Sequence, residues 1–303
     1  MNAPTSIGLI VQVQLATRSK LFSPAPTSGC ATPNSGLCAF DLGLPGTLPR
    51  LNGHAVALAV RAALALGCEL QPQSRFVRRH ESRPDLPKGY LLTQRGEPLA
   101  RGGSVPFGDG LRCRLQRLYL EEDRGTLHST PTATLVDLNR AGMPLLGIVS
   151  EPDLPGPAHA SAFLRELLTI LRTAAVSAAD DVGGALRCAA TISVPAPDAA
   201  TADHTVHLMH LGSPAMLQQA LEHEQRRQIA LRAAGVAVTA ETRVYDAIGG
   251  ETRPRRDGPA PADPRYLPDP DLPPLRIEDH MLTAEREWLA TQPPRRGADE
   301  REW

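Results

Sequence analysis

The run Leu135 to Leu154, L-V-D-L-N-R-A-G-M-P-L-L-G-I-V-S-E-P-D-L, is the stretch on which the reading of this chain turns. It lies between a segment with strand periodicity and one with helix periodicity. Upstream, Leu111, Cys113 and Leu115 alternate with Arg112, Arg114 and Gln116, the period of two of a half-buried strand, and Asp109-Gly110 is a hairpin-turn signal. That strand delivers Glu121, Glu122 and Asp123 at its end. Downstream, Leu164, Leu167, Leu168 and Leu171 share one face of a helix expected over residues 158–174.

The same pattern extends outward. Residues 7–15, I-G-L-I-V-Q-V-Q-L, read as an opening strand, and the Pro-, Gly-, Ser- and Asn-rich stretch 23–49 reads as loop. Asn52 can cap a helix whose Val56, Val60, Ala63 and Leu64 share a face and which Gly67 stops. Ser213-Pro214 opens another helix and Gly235 ends it. Residues 254–274 are proline-dense and expected to run extended over the surface, and 295–303 form a charged tail expected to fray. Few helices among many hairpins predict an α+β domain with a mainly antiparallel sheet, and neither a P-loop nor a G-x-G-x-x-G run points to a doubly wound fold.

Composition limits the functional classes. At 303 residues the chain can bury a sizeable core, as one large domain or two modest ones. Its 33 acids and 32 bases nearly cancel, so nucleic acid or an anionic membrane would have to be met by a local patch. No run approaches the roughly 20 apolar residues of a membrane span and no signal-peptide pattern opens the chain, so the default expectation is a cytoplasmic protein. Five scattered cysteines, Cys30, Cys38, Cys68, Cys113 and Cys188, read as reduced thiols that mostly pack.

A series of ordered motifs goes further: P-N-S-G-L-C-A-F-D-L-G-L-P-G-T-L-P-R-L-N from Pro33, P-D-L-P-K-G-Y from Pro84, L-E-E-D-R-G from Leu120, and the Leu135 to Leu154 run. A-L-R-C from Ala185, A-L-E-H-E-Q-R-R-Q from Ala220, E-T-R-V-Y-D from Glu241 and P-D-P-D-L-P-P-L ending at Leu275 follow. In these motifs the chain resembles the B subunit of the glutamine-dependent aspartyl/glutamyl-tRNA amidotransferase, from about Ile7 to Leu275. The resemblance implies a sheet-floored cradle over residues 1–276, followed by a short extension, 277–303. It also implies a centre dependent on ATP and magnesium, where the side-chain carboxylate of Glu or Asp carried on tRNA is phosphorylated and then amidated with ammonia from an amidase-type (GatA-like) partner. Such a transfer between anions needs a metal held by carboxylate oxygens and cations on the phosphoryl group.

This sequence departs from that pattern at polar positions. The family's first strand carries Glu and His facing the metal centre; here Ile10 and Gln12 stand there, and neither replaces the pair. Gly147, Gly183 and Ala189 occupy positions where the resemblance implies acids, and Ala190 and Thr191 complete the altered R-C-D-A-N motif. The family's E-[I/L]-K-N-L-N-S becomes H-L-M-H-L-G-S from His207. Of the zinc-knuckle cysteines of some relatives only Cys38 remains, the others reading Ser23, Ala25 and Asp41, so no zinc is expected. The family's helical and tail domains that grip tRNA have no counterpart before the chain ends at Trp303.

The surviving candidates follow from the resemblance. Glu121, Glu122 and Asp123 are the implied magnesium ligands, whereas on their own they read rather as a solvated acidic turn. Lys88, one of two lysines, is implied to meet ATP phosphates, or its stem packs on Tyr90. Glu121, Glu122 and Lys88 are thus the candidate catalytic residues, and Lys88, Tyr90, Arg140 and Arg187 the candidate cofactor-binding ones. Arg140, Arg187, Glu151 and Asp153 are also read as buried ion pairs shaping the cradle. His204, His207 and His210 recur at a spacing that does not share a strand face, which disfavours a metal site. Arg78, Arg79, Arg112, Arg114 and Arg117 form at most a weak basic face. The expectation is a divergent amidotransferase B-type chain, with its activity impaired or redirected to another carboxylate, aminoacyl-tRNA or small molecule. The alternative is a noncatalytic partner of an amidase-type subunit, and a plain RNA-binding module ranks last.

Overall fold

The first strand shows how the sheet is built. In Ser6–Gln14 (β1), Ile7, Leu9, Val11 and Val13 are buried in the hydrophobic core, while Ile10 and Gln12 between them face the opposite side. The computed structural model describes residues 5–108, 110–178, 184–195, 204–255 and 265–292. The Asp109 of the anticipated hairpin turn, Gly183 and the charged tail lie outside the described residues.

The remaining strands are Glu69–Leu70 (β2), Arg75–His80 (β3), Tyr90–Glu97 (β4), Ala100–Arg101 (β5), Ser104–Phe107 (β6), Leu111–Glu122 (β7), Thr126–Ser129 (β8) and Thr134–Asp137 (β9). Pro144–Ser150 (β10), Leu186–Ser193 (β11), Val206–Leu211 (β12), Thr242–Asp246 (β13), Glu251–Pro254 (β14) and Tyr266–Pro268 (β15) complete them. Across the main sheet the order is β14-β13-β12-β11-β1-β10-β7-β4-β3-β15, with β2, β5 and β6 beside this path and β8-β9 a separate hairpin. Every described pairing is antiparallel except β12 with β13, as expected of the α+β class. The proline-dense segment is extended where it is described, and β15 forms the edge beside β3.

The helices Gly53–Ala65 (α1), Pro157–Thr173 (α2) and Pro214–Ala233 (α3) cover one face of the sheet, and their apolar stripes join its core side chains. Each buried Leu or Val of this layer contributes on the order of 1.5–3 kcal/mol. Asn52 caps α1 as its position suggests: its Oδ1 accepts from the backbone N–H groups of His54 and Ala55, and its Nδ2 donates to the carbonyls of Ser19 and Lys20. Ser213 caps α3 through Met216 N, whereas α2 starts from Gly156 without a side-chain cap. A fourth helix, Asp279–Ala290 (α4), lies on α1, where Arg61 meets Glu285 at 2.5 Å and stacks 3.8 Å from the Trp288 ring centroid. No described helix is long and apolar enough to cross a membrane.

A bulge sets the polarity of the central strands. Between Val149 and Ser150 the β10–β7 register shifts, so Cys113 and Leu115 face the core before it, and Leu118 and Leu120 after it. Tyr119 and Glu121 consequently point away from the helices and line the open face. Cys68, Cys113 and Cys188 are buried, and burial pushes their thiols up to about 12, 11 and 12 respectively, in keeping with packing roles.

Because Asn52 both caps α1 and ties it to the 19–20 segment, Asn52→Ala should cost about 1–2 kcal/mol in urea unfolding, and a loss below a few tenths would contradict this anchoring.

Candidate functional site

The face without helices forms a cleft of about 1170 Å³. Its floor comes from the alternate positions of neighbouring strands: Ile10 and Gln12 on β1, Tyr119 and Glu121 on β7, Leu91 and Arg95 on β4, Arg187 and Ala189 on β11. The pleat places these side chains together, while Leu9, Val11, Val13, Leu92, Leu118, Leu120, Cys188 and Ala190 beside them go to the core.

The acidic run at the end of β7 is therefore divided. Glu121 faces the cleft, where its Oε1 accepts 2.7 Å from Gln12 Nε2, while its Oε2 is buried without a hydrogen-bond partner. Glu122 is fully buried and accepts from Lys88 Nζ on both oxygens at 2.6 Å, and from Leu92 N. Asp123 accepts from Arg140 Nε at 3.0 Å, from Arg187 Nη1 and Nη2 at 2.5 and 3.0 Å, and from Arg124 N. Burial raises the Glu122 carboxyl above the ordinary range, and the Lys88 ammonium acts in the opposite sense.

Lys88 and Tyr90 sit elsewhere. They line a small pocket of about 230 Å³ with Phe40, the 43–47 loop, Arg78 and Asp271, and Lys88 Nζ lies over the Phe40 and Tyr90 rings at 4.3 and 5.4 Å. Arg140 and Arg187 join at Asp123, so that pair of residues shapes the cradle through a buried carboxylate. Asp153, by contrast, pairs at the surface with Arg114, which is 72% exposed, and that corrects the expectation of a buried pair there. The reason is position: Asp153 follows the bulge, where β10 has left the core.

A magnesium ion needs several oxygen donors converging at about 2.1 Å. As arranged, the carboxylates do not offer them: Glu122 is turned to a lysine, Asp123 is saturated by two guanidinium groups, and Glu121 alone keeps an open oxygen. Among the described residues no three His, Cys, Asp or Glu side chains converge on a metal-sized point. The residues present do not fit the three-acid magnesium centre that the resemblance implies.

Gly147 has a specific physical role. It is the cross-strand neighbour of both Tyr119 and Gln12, and a Cβ built on it would fall 2.3 Å from Tyr119 Cζ. The phenol thus lies in the space a side chain at 147 would use. The segment holding Ser23, Cys38 and Asp41 is joined around a carboxylate: Ser23 Oγ donates to both oxygens of Asp41 at 2.9 and 3.1 Å, Cys38 N donates at 3.0 Å, and the fully buried Lys20 stands 3.5 Å away.

The far wall of the cleft, at Glu241 and Thr242, is held by a network in which two motifs meet. Arg227 bridges Glu224 and Glu241 at 2.8 Å each, Arg243 reaches Glu241 at 3.0 Å, and Thr252 Oγ1 donates to the buried Glu224. His210 borders the cleft with a positive φ of 64°, at the register shift between β11 and β12, while His207 is exposed on the same strand. Of the arginines considered as a basic face, Arg78 pairs with Asp269 and Asp271, Arg79 with Glu81, and Arg114 with Asp153. Arg95, Thr93 and Tyr119 were not singled out by sequence reasoning. Their only signal is alternation along β4 and β7, which does not reveal which strands adjoin.

These features define a class: a one-faced antiparallel cradle whose open side carries an arginine–carboxylate floor. The model of the GatB/GatE catalytic domain matches residues 5–283, and the chain belongs to that family. It is 42% identical over 297 residues to the B subunit of the aspartyl/glutamyl-tRNA(Asn/Gln) amidotransferase of Anaeromyxobacter sp. (strain Fw109-5), covering 96% of this chain and 62% of the relative. The proteins of the same name from Alkalilimnicola ehrlichii and Halorhodospira halophila are 42% and 41% identical, over 98% and 97% of this chain and 64% and 62% of their own lengths. The chain thus spans less than two thirds of these relatives.

Two outcomes test the geometry. Gly147→Ala should destabilise the fold by about 1–3 kcal/mol by displacing the phenol, and Tyr119→Ala in the same chain should remove most of that cost; additive losses in the double-mutant cycle would refute the contact. Lys88→Met should cost about 3 kcal/mol at neutral pH by stranding Glu122. Since the folded-state value of this acid is raised, ionised Glu122 opposes folding, and the penalty should shrink as pH falls through that value toward the unfolded one near 4.3. Urea unfolding across this range checks it, and a deficit that does not change with pH would count against the pair.

Proposed function

We propose that this chain is the B-type component of a tRNA-dependent amidotransferase assembly, in which it pairs with an amidase-type subunit and offers its cleft as a ligand cradle, without acting as a magnesium–ATP kinase centre. The observation that carries this reading is the internal neutralisation of the acids: Glu122 by Lys88, and Asp123 by Arg140 and Arg187. A carboxylate already satisfied by bidentate guanidinium groups must break charge-assisted hydrogen bonds before it can ligate a cation. The names of the relatives support the assembly, and the family's sheet and packing motifs support retention of the docking scaffold.

A second reading keeps catalysis on an aminoacyl-tRNA or small carboxylate. The free Oε2 of Glu121 in the cleft favours it. In that case Glu121, Glu122 and Asp123 would have to release their present partners to hold magnesium, and Lys88 would have to leave Glu122 to meet phosphate.

Co-expression with an amidase-type subunit should give a complex that co-elutes in gel filtration, while calorimetry with ATP and magnesium should show no metal-dependent binding at about millimolar nucleotide. Glutamine-driven amidation of Glu-tRNA by the reconstituted pair would establish the second reading in place of the first, and a chain that never pairs with the amidase would remove both.

A further inference from the structure

Two of the five cysteines stand apart from the rest. Cys68, Cys113 and Cys188 are buried, while Cys30 and Cys38 are half-buried next to exposed residues, within reach of a small oxidant. Both lie on the turn-rich stretch 28–41, and neither lines the cleft or the Lys88 pocket.

This stretch folds back on itself. Gly29 and Asn34 turn it with φ of 81° and 61°. Asn139 holds the return: its Nδ2 donates to the carbonyls of Cys30 and Thr32 at 3.3 and 2.7 Å, and its Oδ1 accepts from Gly36 N at 2.9 Å. The Cys30 thiol therefore lies against Gly36, where a Cβ would fall 2.5 Å from the sulfur. That leaves Sγ no more than about 4 Å from the Gly36 Cα, and Cys38, two residues further along, within about 7 Å of the same atom. Both thiols also meet one buried cation. Burial is the first cause that lowers the Lys20 ammonium, and Asp41, Cys38 and Cys30 act on it in the opposite sense. A thiolate at either sulfur thus faces positive charge, and the thiolate is the reactive form.

We propose that Cys30 and Cys38 are a modification site, a dithiol that peroxide converts reversibly to an intramolecular disulfide. The thiolate of one cysteine attacks a peroxide oxygen, the O–O bond breaks, and hydroxide leaves a sulfenic acid behind. The thiolate of the other attacks that sulfur, the S–S bond forms, and the S–O bond breaks to release a second hydroxide. Each hydroxide takes a proton given up by a thiol, so two thiols and one hydrogen peroxide become one disulfide and two waters. A pair of this kind is reduced at rest and forms its bond only under oxidant. The bond closes the 30–38 loop directly before Phe40 and Asp41, and so fixes the segment that carries one wall of the Lys88 pocket. This chemistry is separate from the cleft and from pairing with an amidase.

The test treats the folded full chain with hydrogen peroxide, unfolds it, blocks remaining thiols with an alkylating agent and reads tryptic peptides by mass. No lysine or arginine lies between Lys20 and Arg50, so both cysteines fall in the single peptide 21–50. That peptide should be lighter by two hydrogens and carry no alkyl group, while Cys68, Cys113 and Cys188 are alkylated. Dithiothreitol should return both thiols. Cys30→Ser should lose no hydrogens and instead leave a sulfenic acid at Cys38 that dimedone traps. Peptide 21–50 with two alkyl groups, with added oxygen and no loss of hydrogen, or joined to a second chain overturns the assignment. Thermal unfolding shows whether the variant is folded; where it is not, the mass of peptide 21–50 from the unmodified chain decides alone.

Discussion

A pleated sheet sends successive side chains to opposite faces, and in this protein that alternation separates a dry interior from a charged cleft. Ile7, Leu9, Val11 and Val13 lock β1 to the helices, which forces Ile10 and Gln12 outward. One residue of slip would exchange the two sets and bury the polar floor against the helices. The bulge beside Ser150 shows the same constraint at work: it lets β7 keep apolar residues inward on both sides of a change in curvature, while Tyr119 and Glu121 reach the cleft.

That geometry also explains why three consecutive acids do not act as one. Glu121 and Glu122 must diverge, so each acquires its own partner, an amide for the first and a lysine for the second. Asp123 leaves the strand and gathers Arg140 and Arg187 from two other segments. Buried pairs of this kind contribute little net stability, because desolvation offsets most of the attraction, but removing one partner strands the other. Their role is to hold β7, the turn at 140 and β11 in one arrangement. Lys20 and Asp41 do comparable work in the 20–50 region, where a hydrogen-bonded carboxylate joins the loops.

Membership in the GatB/GatE catalytic domain family and the sheet-floored cradle fit one physical picture. Packing and turn residues are kept, so the cradle is kept. Its floor carries an amide, a phenol lying over a glycine, and arginines. These floor residues fit one another: the phenol of Tyr119 requires Gly147, and Gln12 donates to the carboxylate it adjoins.

Much was legible in the sequence alone. Strand alternation in 7–15 and 111–120, the cap at Asn52, the cap and proline at 213–214 and the order of motifs depend on local sterics and hydrogen bonding, which act over a few residues and leave a local trace. The family and the α+β class follow from these. Which acid meets which base was not legible, since Asp123 with Arg187, Lys88 with Glu122 and Tyr119 with Gly147 are joined only after distant strands pair. The motifs at 220–228 and 241–246 could be quoted but not connected until α3 was laid against β13 and β14. Charge and shape complementarity across a sheet depend on register, and register is a property of the assembled fold, so the chemistry of the cleft was decided by tertiary structure.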